Sequence, residues 1–372
     1  MMKLKFIDSI RGVAILMVIL VHTSQKIRNL DFITEVIARY GQMGVQLFFI
    51  ASAYTLCLSG YRRDNETLPL IKFGIRRYFR IAPAYYCGLI IYFVVSLLIS
   101  QFHTGKIEVP AKYNFLNIFS NLIFIHGFVP SANNKIVEGG WSIGTEMAFY
   151  AIFPFLFKVA RVKLYSFKSI FIFIFSGIIF SQLCIVLLSF SGYYISNNDF
   201  IYFNIINQLP VFLIGIGYFF FKKYYKYELS SVNNFLFFIA LTFVSNMLWY
   251  FNVPYFFSLI PIISGLSFVF LFELFQKNDF LNQKLLIKIG QVSFSMYLLH
   301  FIFAHFITSF LAPRLSMING TVTLMIFYLF SVFCTFGFAL LSEKYIEKPS
   351  VEFGRRIIKR LDVRFTTGNN LQ

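Results

Sequence analysis

Acidic residues are scarce in this chain. It holds 16 Asp and Glu in 372 residues against 33 Lys and Arg, and charged residues of either sign make up only 13%. A soluble globular domain carries about a quarter charged residues, so that class is excluded. There are four cysteines, Cys57, Cys87, Cys184 and Cys334, each inside or at the edge of an apolar run. Their placement offers neither a disulfide framework nor a zinc site, and no metal is expected. The first apolar run is not expected to be a cleavable leader: Arg11 and His22 interrupt it, and no small-residue cleavage motif follows. Beyond Glu343 the sequence is short, basic and polar, so no appended soluble domain is expected there.

What fills the chain is apolar. Hydrophobic residues make up 58% and aromatics 20%, with 52 Phe. Runs long enough to span hydrocarbon begin near Ile10–Lys26 and Met43–Ser59 and end with Val292–Leu311 and Thr321–Leu341, ten in all. The expected fold class is an all-α polytopic membrane protein, a single bundle of about ten transmembrane helices. The stretch Asn114 to His126 is apolar but too short to cross unaided, and reads as a re-entrant or surface-lying piece.

The net charge of +17 would suit a nucleic-acid partner, but its placement argues for a membrane. With the N-terminus in the cytoplasm, most of the 33 Lys and Arg fall in cytoplasmic segments. That asymmetry is the positive-inside signature and puts both termini in the cytoplasm of a multi-pass inner (plasma) membrane protein. No nucleic-acid partner is expected. Residues 1–349 form the membrane domain and 350–372 a short basic cytoplasmic tail.

Polar residues inside the spans carry the chemistry. Arg11 and His22 lie eleven positions apart in FIDSIRGVAILMVILVHTSQ, about 16 Å along a helix, which sets a guanidinium near one face and an imidazole well into the bilayer. An ionisable group at that depth is costly and faces a protein interior or a wet cavity. Glu146, five residues past Trp141 in WSIGTEMAFY, falls within one or two turns of His22 in depth. A carboxylate at that depth can hold an imidazole in one tautomer, making His22 a general base toward a hydroxyl. The blander alternative is a His and a Glu that satisfy each other as helix-packing glue. On the cytoplasmic side, Arg77 and Arg80 of RRYFRIAPAYY are three apart and share a helix face suited to a polyanion, or to lipid headgroups. His300 reads either as joining the cavity or as packed among aromatics, His305 as packed, and His126 as solvated near the outer edge.

These motifs, in this order, resemble the acyltransferase family 3 membrane proteins. FIDSIRGVAILMVILVH is similar to the family's opening. GVQLFFIASAY is similar to its second-helix motif, with Ala53 where glycine is usual. RRYFRIAPAYY matches its Arg-x-x-Arg motif, WSIGTEMAFY its Trp-Ser-x-x-x-Glu motif, and FSMYLLH and KYIEKP its late segments. The resemblance implies an O-acyltransferase with an acyl-coenzyme A donor, most often acetyl-CoA, bound from the cytoplasm. The acceptor it implies is a carbohydrate, either a surface polysaccharide or its lipid-linked precursor. It carries catalytic importance onto His22 with Glu146 in support, and donor binding onto Arg11, Arg77 and Arg80. Without the hydrolase-like domain of some relatives, acceptor choice is expected to rest on the outer loops and cavity. A lipid-linked sugar flippase or proton-coupled transporter, with His22 and Glu146 as its relay, is the rival reading. Oligomeric state is open, since membrane helices bury similar faces within and between chains.

Overall fold

The computed structural model describes residues 4–192, 200–253, 256–315 and 319–369, which are helical with no strand among them. Helix α1 runs Lys5–Ser24. A single 3-10 turn joins α2 (Phe32–Tyr40) to α3 (Gly44–Arg62) as one rod. Next come α4 (Pro69–Thr104), the short α5 (Phe115–Leu122), α6 (Gly140–Lys163) and α7 (Phe167–Ser189). The chain continues through α8 (Phe200–Phe203) into α9 (Ile205–Tyr224), then α10 (Ser231–Tyr250), α11 (Ile260–Lys277) and α12 (Lys284–Gln291). Then α13 (Ser293–Phe301) leads by a π-turn into α14 (Thr308–Leu311), and α15 (Gly320–Ser342) by another into α16 (Lys348–Asn369). Ten of these rods, among the described residues, are long and apolar enough to cross a membrane. The chain is a multi-pass membrane protein.

Several rods outrun their apolar cores. The α2–α3 rod starts at Phe32, where Asp31 caps it by accepting from the Thr34 backbone N–H at 2.9 Å. Helix α4 starts at Pro69, twelve residues before its apolar run, and carries Lys72, Arg76, Arg77 and Arg80 on helical backbone. Helix α16 gives the basic tail a helical form as far as Asn369. It packs on α4 through a Lys72–Asp362 ion pair and a Phe79–Phe353 ring contact. Residues 370–372 of that tail lie outside the described residues.

Helix α1 is central, packed by α2, α3, α11, α12, α13 and α15. Two glycines permit this closeness: Gly44 of α3 lies on the Ala14 carbonyl and Gly290 of α12 on the Asp8 carbonyl, where a Cβ would collide with backbone. Ala53 is buried against Gly215 of α9. The α8–α9 rod buries 78% of its apolar window, whereas α10 buries 17%, so α9 is interior and α10 presents Phe235, Leu236 and Phe243 outward as lipid-facing surface.

Helix α5 is eight residues, about 12 Å, and cannot span. Its polar side faces the protein: Asn117, Ser120 and Asn121 are buried while Phe115, Leu116 and Phe119 are exposed. That arrangement suits a helix lying in a membrane interface.

Candidate active site

His22 stands in the last turn of α1, and its Nδ1 lies 3.2 Å from Oε1 of Gln25, the residue that ends the helix. A carbonyl oxygen only accepts, so Nδ1 carries the proton and Nε2 keeps its lone pair. Three residues along a helix put both side chains on one face. The imidazole is walled by Phe301, at 4.1 Å between ring centroids, and by His300, at 5.2 Å. It opens into a cavity of about 470 Å³ whose polar lining includes Gln25, Gln42, Gln46, Glu138 and His305. Gln42 Nε2, Gln46 Oε1 and Asn133 Oδ1 are buried there without a hydrogen-bond partner.

A narrower space of about 70 Å³ lies on the α4 side, lined by Arg11, Ser52, Arg80, Glu146 and Tyr150. Arg11 donates to Thr55 Oγ1 at 3.3 Å. Glu146 Oε1 accepts from Ser52 Oγ at 2.6 Å and from the Tyr150 hydroxyl. Val45 and Tyr297 line both spaces, so these two side chains stand between the narrow one and the wide one. Tyr297 is fixed there, its hydroxyl donating to the Gly139 carbonyl at 3.0 Å and accepting from Ser142 at 2.8 Å.

The candidate residues of the sequence therefore divide between two compartments. Arg11, Arg80 and Glu146 come together in the narrow space, and His22 stands apart in the wide one. Glu146 is not brought to the imidazole, and Gln25 occupies the position beside it. Arg77 lies outside both spaces, its guanidinium over the rings of Phe73 at 5.7 Å and Tyr150 at 5.5 Å, with Nε buried and unpartnered.

The other histidines depart from their expected settings in part. His300 takes the packed one of its two expected settings, fully buried with Nδ1 2.6 Å from the Tyr297 carbonyl and Nε2 unpartnered. His305, expected to pack, lines the wide cavity and leaves Nδ1 unpartnered. His126, expected to be solvated, is fully buried with Nε2 3.0 Å from the Gly140 carbonyl, because the loop carrying it folds under α5 onto the start of α6. Burial pushes its pKa below the ordinary value.

Gln25, Ser52, Glu138, Tyr150 and Tyr297 were not singled out in the sequence. Gln25 and Tyr150 carried a signal, lying three and four residues beyond His22 and Glu146 on the same helical faces. Glu138 carried none, being one loop acid among few. Burial raises its carboxyl pKa, opposed by Lys112 and Lys135 nearby.

The family model described as "Acyltransferase domain" matches residues 4–343. The chain belongs to this acyltransferase family. A Staphylococcus aureus (strain COL) protein named "Putative O-acetyltransferase" is 24% identical over 97% of this chain and 59% of its own length. The O-acetyltransferase OatA of S. aureus (strain NCTC 8325 / PS 47) is 24% identical over 92% of this chain and 56% of its own. The peptidoglycan O-acetyltransferase OatA of Listeria monocytogenes is 29% identical over 40% of this chain and 23% of its own. The chain thus spans somewhat under three fifths of the length of the relatives it matches from end to end. No solved structure matches it.

Proposed function

We propose that this acyltransferase-family protein is a plasma-membrane O-acyltransferase that moves an acyl group, acetyl in the first instance, from acyl-CoA to a sugar hydroxyl of a surface polysaccharide or its lipid-linked precursor. The observation that carries the reading is a pair of unlike compartments set side by side with Val45 and Tyr297 as shared walls. One is narrow and holds two arginines. The other is wide, lined by amides, and holds an imidazole whose Nε2 is free to accept a proton. A slender thioester arm fits the first and a sugar the second. The excess of Lys and Arg at the α4 end supports a cytoplasmic position for that end, where acyl-CoA is found.

In the proposed reaction His22 Nε2 takes the acceptor hydroxyl's proton as the oxygen attacks the thioester carbonyl. The C–S bond breaks, a C–O ester bond forms, and the thiolate leaves and takes up the proton that His22 received. Gln25 holds the imidazole in the tautomer this requires. Arg11 and Arg80 meet the donor's negative charge, Glu146 with Ser52 and Tyr150 keeps that pocket in shape, and Arg77 braces it from behind. The amide side chains of Gln42, Gln46 and Asn133 line the wide space and are of the type that pairs with sugar hydroxyls.

The test is transfer of labelled acetyl from acetyl-CoA into cell-envelope glycans by membranes holding equal amounts of wild type or His22→Ala. Positioned general-base catalysis contributes about 10²–10⁴-fold, and His22→Ala is expected to lose that factor while still binding coenzyme A. Label in neither membrane, with no coenzyme A binding by the wild type, overturns the reading in favour of a flippase.

A further inference from the structure

A second cavity of about 470 Å³ adjoins the one that holds His22, and Gln25 and Gln42 line both. Its other polar walls come from Ser24, Asn29, Glu35 and Arg39, and one side is closed by Trp249. Each space alone falls within the range of small-molecule sites, about 300–1,000 Å³. Together they exceed what a single sugar unit requires.

The chemistry of the second space is that of a neutral polyol site. Arg39 is paired with Glu35 at 2.5 Å, so its charge is already met and the pair offers both a donor and an acceptor rather than a site for a free anion. Asn29 and Ser24 add groups of both kinds. At the junction, Gln42 lines both spaces, and its Nε2, buried with no partner, would meet a ligand hydroxyl there once the amide turned toward it. Gln25 stands at the same junction with its Oε1 committed to His22. A ligand crossing there touches the residue that orients the base.

We propose that the second cavity is an acceptor subsite and that the acceptor is a glycan of at least two sugar units, the acylated unit beside His22 and its neighbour against Arg39, Glu35 and Trp249. The proposal rests on the O-acyltransferase reading above. It adds that the protein selects for chain length: the neighbouring unit contributes binding across the Gln25–Gln42 junction, and an isolated sugar forfeits it.

The probe is the glycan that membranes holding the wild-type chain label, stripped of O-acetyl groups by mild base, cut into fragments and sorted by length from one sugar upward. Fragments are offered to the purified full chain with acetyl-CoA. The expected result is a kcat/KM at least tenfold higher for two-unit than for one-unit acceptors, with that ratio falling toward one in Arg39→Ala and in Gln42→Ala. Trp249→Phe, which keeps a ring in place, is expected to lower the ratio less. Equal use of one-unit and longer acceptors overturns the proposal. So does a length preference that Arg39→Ala and Gln42→Ala both leave intact, or a loss that is equal at every length. Absence of any labelled glycan would end the acyltransferase reading itself, which separates the two failures.

Discussion

The imidazole of His22 is held by an amide, Gln25, whose Oε1 sits 3.2 Å from Nδ1. In catalytic triads a carboxylate holds the base and also stabilises its charged form; an amide supplies orientation without that charge. Gln25→Ala frees the ring to turn and take either tautomer. A net hydrogen bond is worth about 0.5–1.5 kcal/mol, and about 1.4 kcal/mol is a tenfold rate. Gln25→Ala is therefore expected to slow acetyl transfer about tenfold at saturating acetyl-CoA, with coenzyme A affinity unchanged. Single-turnover transfer measured beside coenzyme A binding checks this; a full wild-type rate would remove Gln25 from the site.

Tyr150 does two things at once. Its hydroxyl donates to Glu146 and also contacts Arg77, and its ring lies under the Arg77 guanidinium, 5.5 Å away. Tyr150→Phe removes the hydroxyl's contacts and keeps the ring. It should raise the KM for acetyl-CoA several-fold and leave thermal stability close to wild type. Tyr150→Leu removes the ring as well and should further cost about 0.5–2 kcal/mol, the range for a cation over an aromatic face. An acetyl-CoA titration and a melting curve for each variant distinguish these outcomes.

Arg77 and Arg80 differ in the same way. Arg80 lines the narrow space beside Arg11, and Arg77 lies against the rings of Phe73 and Tyr150. Arg80→Ala is expected to raise the acetyl-CoA KM tenfold or more with little change in yield, since one charge-assisted contact is worth about 1.5–3 kcal/mol. Arg77→Ala should instead lower yield and melting temperature, and Arg77→Lys should rescue it poorly, because an ammonium cannot stack as a planar guanidinium does. Equal donor defects with unchanged stability in both variants would refute this division.

The contrast between these two arginines shows what could be read from the sequence. Ten spans were legible because hydropathy is a one-dimensional property, and the Arg11–His22 separation was legible because both lie on one straight helix. Azimuth was not. Depth alone placed Glu146 level with His22, but which way α6 turns its carboxylate depends on Ser52 of α3 and on Tyr150 one turn along. Arg77 and Arg80 share a face in a simple helical count, yet a ring contact withdraws one of them from the pocket that the other lines. Rod ends such as Pro69 were missed because polar helical turns carry no hydropathy signal. The burial of His126, at the end of a short apolar stretch near the outer edge, depended on contacts with a segment that follows it in the sequence.

Asp31 ties the entry of α2 to the start of α15. Its carboxylate accepts from the Thr321 hydroxyl, from the Thr34 hydroxyl at 2.7 Å and from the Thr34 backbone N–H at 2.9 Å. These bonds, that from Thr321 foremost, lower its pKa from 3.8 to about 2. Because the folded value lies below the free one, the ionised carboxylate favours the folded chain. The contribution is complete above the free value and is lost as the pH falls through about 2. Asn caps a helix nearly as well as Asp, so Asp31→Asn removes the charge while keeping the cap. The variant should melt below wild type at pH 7, and the gap should close as both are acidified toward pH 2. Melting curves in detergent across that range test it; a gap that persists at pH 2 would mean that the carboxylate's charge is not what joins α2 to α15.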